Sequence, residues 1–174
     1  MPDDKYLVKS NKVVIEQKGS KISKSGVSKY ISLKPYKTSL QTNFRTWVFF
    51  QSDIKPGNKF WSWMNKNFGN EPVYYDKAEA DNSSVQMMRY LDNVGYFHSK
   101  VNHTVEYEGG RKLAWVTYHV YPSQPYCVNK IEYNIGDSLM EKYIMRDSSK
   151  FELLEGDIYN AYMLSNQREI VTER

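Results

Sequence analysis

The chain has 174 residues, of which 40% are hydrophobic and 25% charged, a balance that excludes a disordered chain and indicates a soluble globular protein. No apolar run approaches the ~20 residues that a helix needs to cross a bilayer. The single cysteine, Cys127, excludes an internal disulfide.

The formal net charge of +4 is unevenly distributed. Residues 1–45 hold ten Lys or Arg and three Asp or Glu, a net charge of +7, and the remainder of the chain is net negative. A basic segment of this kind suits anionic lipid headgroups or nucleic acid. Because the lysines are scattered rather than clustered, an ordinary solvated surface is the simpler interpretation.

The first elements are short. Residues 1–10 predict a flexible leader, and residues 11–16 predict a strand. Ser23 or Ser25 then caps a predicted helix that contains Val27, Tyr30 and Ile31 and ends before Pro35.

Residues 36–81 form an aromatic insert. Its run at 45–50 has no clear secondary structure, residues 58–68 predict a helix, and residues 73–76 are extended. Aromatic side chains dominate the burial of apolar surface, so we interpret the aromatic cluster of this helix as packing rather than as a ligand site. The cluster comprises Phe60, Trp61, Met64 and Phe68.

Residues 82–121 predict a helix followed by a hairpin. Ser83 or Ser84 caps the helix, which ends near Asp92, and Gly95 takes the left-handed conformation that ends many helices. A strand over 97–107 alternates apolar and polar residues, and Gly109-Gly110 predicts a two-residue turn. With Glu108 opposite Arg111, this turn places Val105 opposite Ala114, His103 opposite Val116, Val101 opposite Tyr118 and Ser99 opposite Val120.

The hairpin has two unlike faces. Opposed residues share a face, so one side is apolar and the other mostly polar, which predicts helices on one side of the sheet only. The second strand, 113–121, suits a central position, and the first, more polar strand suits an edge. The apolar face carries Phe97, Val101, His103, Val105, Tyr107, Ala114, Val116, Tyr118 and Val120, and the polar face includes His98, Lys100, Glu106 and His119.

The rest of the chain echoes its beginning. A linker at 122–125 is followed by a predicted strand at 127–135, a helix from Asp137 or Ser138, a turn at Gly156-Asp157 and a helix over 159–172. The triplet Asn-Lys-Ile at 129–131 resembles Asn-Lys-Val at 11–13, and the triplet Lys-Tyr-Ile at 142–144 repeats the one at 29–31. This pattern is typical of a tandem repeat whose second copy is incomplete.

The sequence contains no catalytic constellation. The three histidines, His98, His103 and His119, lack the spacing of a zinc site, so no metal or other cofactor is expected. Cys127 has no base nearby in the sequence and is interpreted as a small core residue. No phosphate-binding glycine motif is present. We therefore do not expect an enzyme.

The ordered motifs resemble a known family. A helix that runs into Gly95-Tyr96-Phe97, the hairpin after it, and the junction from Tyr118 through Pro125 to Tyr133 are similar to polypeptide-transport-associated (POTRA) domains. These domains belong to outer-membrane proteins of the BamA and TamA type, in the bacterial surface antigen family. The opening at 2–13 and the stretch Gly69–Asp76 resemble members from Bacteroidetes-type bacteria, and Gly156–Tyr159 resembles the approach to a POTRA helix.

The resemblance implies an α+β fold, a β-α-α-β-β module whose three-stranded mixed sheet carries helices on one face. It implies a flexible leader at 1–10, a first POTRA-like domain at 11–124 with its insert at 36–81, and the N-terminal part of a truncated second domain at 125–174. The expected function is a periplasmic binding region, on the periplasmic side of the bacterial outer membrane, that assembles or translocates outer-membrane proteins. The expected partners are unfolded precursors, accessory periplasmic or lipoprotein subunits, and a C-terminal membrane barrel of the same chain.

Two surfaces are candidates for binding. An exposed edge strand offers backbone N–H and C=O groups to an extended peptide, although Lys100 and Glu106 also suit an edge protected against pairing. The polar face carries an aromatic patch that marks an interface unless the insert covers it. The edge candidates are Phe97, Ser99, Val101, His103, Val105 and Tyr107, and the patch comprises Leu113, Trp115 and Tyr121.

Two other functions remain as alternatives. A basic, aromatic-rich α+β domain also suits nucleic-acid binding, which would depend steeply on salt. A small α+β enzyme is the third option, and it would require a cleft with converging polar groups.

Overall fold

The computed structural model of the chain describes residues 5–17, 19–35, 48, 51, 57–68, 73–110, 112–134, 136–146 and 153–172. Its strands are β1 (Leu7–Ile15), β2 (Lys100–Glu108) and β3 (Leu113–Tyr121). Its helices are α1 (Lys24–Ser28), α2 (Lys59–Phe68), α3 (Lys77–Asn93), α4 (Ser138–Arg146) and α5 (Ala161–Thr172). The predicted aromatic run at 45–50 lies outside the described residues except for the buried Val48.

The three strands form one mixed sheet in the order β1-β3-β2. β1 runs parallel to β3 and β2 runs antiparallel to it. The predicted central position of β3 and edge position of β2 are therefore confirmed. With α1 and α3 between β1 and the hairpin, the fold is the predicted α+β module with a three-stranded mixed sheet.

The core lies between one face of the sheet and the helices α1 and α3. Alternate residues of β3 are buried against this layer, as the predicted alternation requires. Gly26 allows the two helices to approach closely, because a β-carbon there would collide with the Tyr90 hydroxyl. The core residues are Val8, Ile22, Val27, Ile31, Leu33, Ala80, Met87, Leu91, Tyr96, Val101, Val116, Tyr118 and Val120.

Helix α3 begins earlier than predicted. Its first residue is Lys77, and the Asp76 carboxylate accepts hydrogen bonds from the backbone N–H groups of Ala78 and Glu79. The prediction that Ser83 or Ser84 caps this helix is wrong. Both serines lie buried within it, and their hydroxyls donate to the carbonyls four residues earlier.

The hairpin has a longer loop than predicted. Glu108 lies opposite Leu113, so the loop spans residues 109–112, and Lys112 takes a positive φ of 51°. Val105 is opposite Val116 and Val101 is opposite Val120, which displaces the predicted register by two residues. Because side chains alternate with a period of two, this shift leaves every residue on its predicted face.

The outer strand β1 is also longer than predicted, since it includes the last four residues of the predicted leader. Its beginning is supported on the outer side by an extended segment. The N–H of Val8 donates to the carbonyl of Val73, and the N–H of Tyr75 donates to the carbonyl of Tyr6, both at 2.8 Å. The helix cap at Ser23 and the positive φ of Gly95 are as predicted.

The segment after Tyr121 differs from its prediction in one element. Residues 127–134 form no strand, and their only described sheet contact is a single antiparallel bridge between Cys127 and Ile158. Cys127 is exposed rather than buried in a core. The helix after Asp137 and the turn at Gly156 are confirmed, and the last helix begins at Ala161, where Asn160 caps it.

Candidate binding surfaces

The outer edge of β2 is the more open of the two sheet edges. β2 pairs along its length with β3, and no other described backbone group bonds to it. β1, at the opposite edge, is partly covered by Val73 and Tyr75. An edge strand directs alternate N–H and C=O groups away from the sheet, so β2 presents a row of backbone donors and acceptors.

Four of the six predicted edge residues belong to β2. Their side chains all point to the helical side of the sheet, but their exposure increases along the strand. Val101 is buried, His103 and Val105 are half-buried, and Tyr107 is 53% exposed. The apolar side of the edge therefore opens toward the hairpin loop.

Phe97 and Ser99 precede the strand, so the prediction that they belong to it is wrong. The Phe97 ring packs between Tyr126 and Tyr159, with ring centroids 5.2 and 5.6 Å away. The Ser99 hydroxyl is buried, donates to the carbonyl of Tyr96 and accepts from the N–H of Ser123. Both residues connect the first unit to the segment that follows it.

A polar cluster lies beneath β2 at His103. One ring nitrogen lies 3.3 Å from the Tyr75 hydroxyl, and the other lies 3.6 Å from the Asp81 carboxylate of α3. Burial raises the pKa of Tyr75 to about 12, and the neighbouring Tyr107 and Asp81 add to the shift. The sequence placed His103 on the apolar face but gave no sign of these partners, which come from two other elements.

The other histidines serve separate roles. His119, on the open face, lies 2.8 Å from Glu16 and 3.1 Å from the Thr104 hydroxyl. His98 has a positive φ of 61° in the turn before β2. In the part of the chain that is described, no group of three His, Cys, Asp or Glu side chains is placed to hold a metal ion.

The predicted aromatic patch lies on the face of the sheet opposite α1 and α3. Leu113 and Trp115 are half-buried, and Tyr121 is 46% exposed. All three alternate along β3 with its buried core residues. Sequence alternation therefore placed the patch correctly.

A cavity of about 380 Å³ lies where the second segment meets the first unit. The loop at 21–23, the end of α3 and residues 157–160 line it. The sequence gave no signal for this cavity, because the residues that line it are far apart in the chain.

No described helix is both long and apolar enough to cross a membrane. No protein-family profile matches the sequence, and no curated protein does either. One similar solved structure is the crystal structure of Haemophilus influenzae BamA POTRA3-5. It is 12% identical, with a TM-score of 0.33, and the match covers 99% of this chain and 88% of that one.

Proposed function

We propose that this chain is a non-enzymatic scaffold region on the periplasmic side of a bacterial outer membrane. In this role it receives unfolded outer-membrane precursors, and β2 accepts an extended precursor segment as a fourth strand of the sheet. The single observation that carries the proposal is that β2 lies at an edge of the sheet whose outer side pairs with no described backbone group. The ordered motifs that resemble POTRA domains support this setting, and we infer that residues 125–174 begin a second unit.

Strand addition suits a client that varies in sequence. Backbone hydrogen bonds form with any residue except proline, so β2 accepts many segments of high β propensity. Lys100 and Glu106 lie exposed on the polar face of the same strand. Charges of this kind discourage self-association of an edge, and they leave the backbone accessible to a weakly bound client.

Helix α3 packs against β2, so an added strand would lie beside this helix, and we call the space between α3 and the outer edge of β2 the groove. Asp81 of α3 faces His103 of β2, and Val85 lies one helical turn further along α3. Val85 is 40% exposed. Every second residue of an added strand would point toward α3, so alternating apolar and polar clients are favoured.

An NMR titration of the full chain with a peptide from a barrel strand tests this proposal. We expect the largest shift changes at the amides of β2 and at Val85. A peptide with proline at every second position has the same length but cannot pair, and it should leave these amides unchanged. Equal shifts with both peptides, or none at β2, would reject strand addition.

A protein variant tests whether the groove contributes to binding in addition to the backbone edge. Val85→Asp places a charge where client side chains would pack, and it should lower the affinity for the barrel-strand peptide by about tenfold. Leu139→Asp makes the same change at an exposed apolar residue of α4 and serves as the control. Unchanged affinity in the Val85 variant would remove the groove from the binding site.

Accessory proteins are the second class of partner that we propose. The exposure of Tyr121 beside Trp115 favours the open sheet face as their docking surface. Shifts at Leu113, Trp115 and Tyr121 on addition of a candidate subunit, with β2 unchanged, would separate this surface from the client edge. A subunit that binds equally to the Tyr121→Ser variant docks elsewhere.

A further inference from the structure

Helix α2 is short, aromatic and outward-facing. Asn58 precedes it and accepts a hydrogen bond from the N–H of Phe60 at 3.0 Å. Phe60 is 58% exposed and Trp63 is 56% exposed. The prediction that this aromatic cluster is core packing is therefore wrong for Phe60, and Trp63 has the same exposed character.

The exposed residues of α2 share one side. At 100° per residue, Lys59, Trp63 and Lys66 lie within a narrow arc, and Phe60 lies at its border. Trp61 and Met64 occupy the opposite side and are half-buried. Among the described elements, no other helix or strand makes extensive contact with α2. The helix thus has one half-buried apolar side and one exposed side, on which aromatic rings lie beside lysines.

Helix α2 itself carries only positive charge. Its residues include Lys59 and Lys66 and no Asp or Glu, while Asp53 and Glu71 lie further out in the sequence on either side. The helix itself has no acidic residue in its first turn and has Lys66 in its last. A negatively charged surface therefore complements the lysines that lie beside Trp63 and Phe60.

We propose that the exposed side of α2, formed by Lys59, Phe60, Trp63 and Lys66, binds the surface of an anionic lipid bilayer. Trp and Phe insert at the boundary between headgroups and acyl chains, where an amphipathic ring is stabilised. The two lysines lie beside them and pair with anionic headgroups. This inference does not depend on strand addition at β2.

A bilayer fits these observations better than a protein groove. A protein partner would present donors and acceptors matched to particular side chains, whereas the large side chains of this surface are aromatic rings and flexible ammonium groups. The exposed side of α2 places two aromatic rings beside two basic residues, and the helix has a low overall hydrophobicity, as interfacial binding requires. Because α2 has only ten residues, the binding should be reversible.

Co-sedimentation of the full chain with vesicles tests the proposal. We expect binding to phosphatidylcholine vesicles that contain phosphatidylglycerol, little binding to pure phosphatidylcholine, and a decrease as salt is raised. Each lysine near an anionic surface contributes about fivefold, so the Lys59→Gln/Lys66→Gln variant should bind about 25-fold more weakly. Trp63→Ser should weaken binding about tenfold.

A matched control keeps the result specific to α2. Leu139→Ser removes an exposed apolar side chain from α4 and should bind vesicles like the unmodified chain. Circular dichroism confirms that each variant remains folded. Absence of binding to the anionic vesicles would overturn the proposal. It would also be overturned if the Trp63→Ser and double-lysine variants bound these vesicles as tightly as the unmodified chain does. A partner protein that requires Trp63 without any lipid binding would assign the surface to a protein instead.

Discussion

The carbonyl of Tyr159 approaches Gly95 so closely that a β-carbon added to the glycine would lie 2.5 Å from its oxygen. Gly95 ends α3 with a φ of 87°, and its own carbonyl accepts a hydrogen bond from the N–H of Tyr126 at 2.8 Å. The N–H of Tyr159 in turn donates to the carbonyl of Tyr126. One glycine therefore ends a helix of the first unit and anchors the segment that follows.

Gly95→Ala is expected to destabilise the protein by at least about 2 kcal/mol. Alanine would adopt a left-handed backbone conformation, and its methyl group would press on the Tyr159 carbonyl. Urea unfolding followed by circular dichroism measures the change. Gly109→Ala is the control, because Gly109 has open space around it and should change stability by less than about 0.5 kcal/mol. Equal unfolding midpoints for the two variants would contradict the close approach.

The cap of α3 gives a second prediction. Asp76→Ala removes the acceptor of two backbone N–H groups and should lower the free energy of unfolding by about 1 kcal/mol. Asp76→Asn keeps a side-chain oxygen and should cost only about 0.3 kcal/mol. Urea unfolding compares the two variants. A large loss for the asparagine variant would show that charge, rather than the cap, holds the helix start.

The position of this cap shows where sequence reasoning succeeded and where it failed. The apolar spacing around Met88 and Leu91 identified the helix, but Ser83 and Ser84 satisfied the same capping rule as Asp76. Only tertiary structure distinguishes them, since the Ser83 hydroxyl accepts from the N–H of Ser32, 51 residues earlier. A serine that bonds within the core looks, in sequence, like a serine that begins a helix.

Strand predictions depended on whether a partner strand was present. The similar triplets at 11–13 and 129–131 were both predicted to lie in strands, but only the first does, because β3 lies beside β1 and pairs with it. Residues 127–134 have one isolated bridge, between Cys127 and Ile158, and no described partner strand. Alternation predicts the capacity for a strand, whereas pairing decides its formation. The edge position of β2 was predictable from the sequence, because polar residues alternate along that strand and suit an edge.

The buried hydroxyl of Tyr118 gives a third prediction. The ring is fully buried, and its hydroxyl has no hydrogen-bond partner of good geometry among the described residues. Burial raises the pKa of this hydroxyl, whereas the nearby Ser83 hydroxyl acts in the opposite direction. Because Phe keeps the ring and removes the unsatisfied group, Tyr118→Phe should be neutral or stabilising by up to about 1 kcal/mol.

Tyr118→Ala provides the contrast, because it leaves a cavity and should cost about 3 to 5 kcal/mol. Both variants are compared with the unmodified chain by urea unfolding. A loss of more than about 1 kcal/mol for Tyr118→Phe would mean that the hydroxyl bonds to Ser83 in solution.

Alkaline pH should destabilise the protein through Tyr75. Its pKa is raised from 10.0 to about 12, chiefly because the ring is withdrawn from water. Below pH 10 Tyr75 keeps its proton in both the folded and the unfolded chain, so ionisation of this residue takes nothing from the free energy of unfolding there. Between pH 10 and 12 the unfolded chain loses the proton first and binds fewer protons, so the free energy of unfolding falls as the pH rises. Urea midpoints measured from pH 8 to 12 should show this decline, and Tyr75→Phe should make it shallower. The raised pKa values of Tyr90 and Tyr118 leave part of the decline in that variant, whereas an unchanged slope would show that Tyr75 ionises equally in both states.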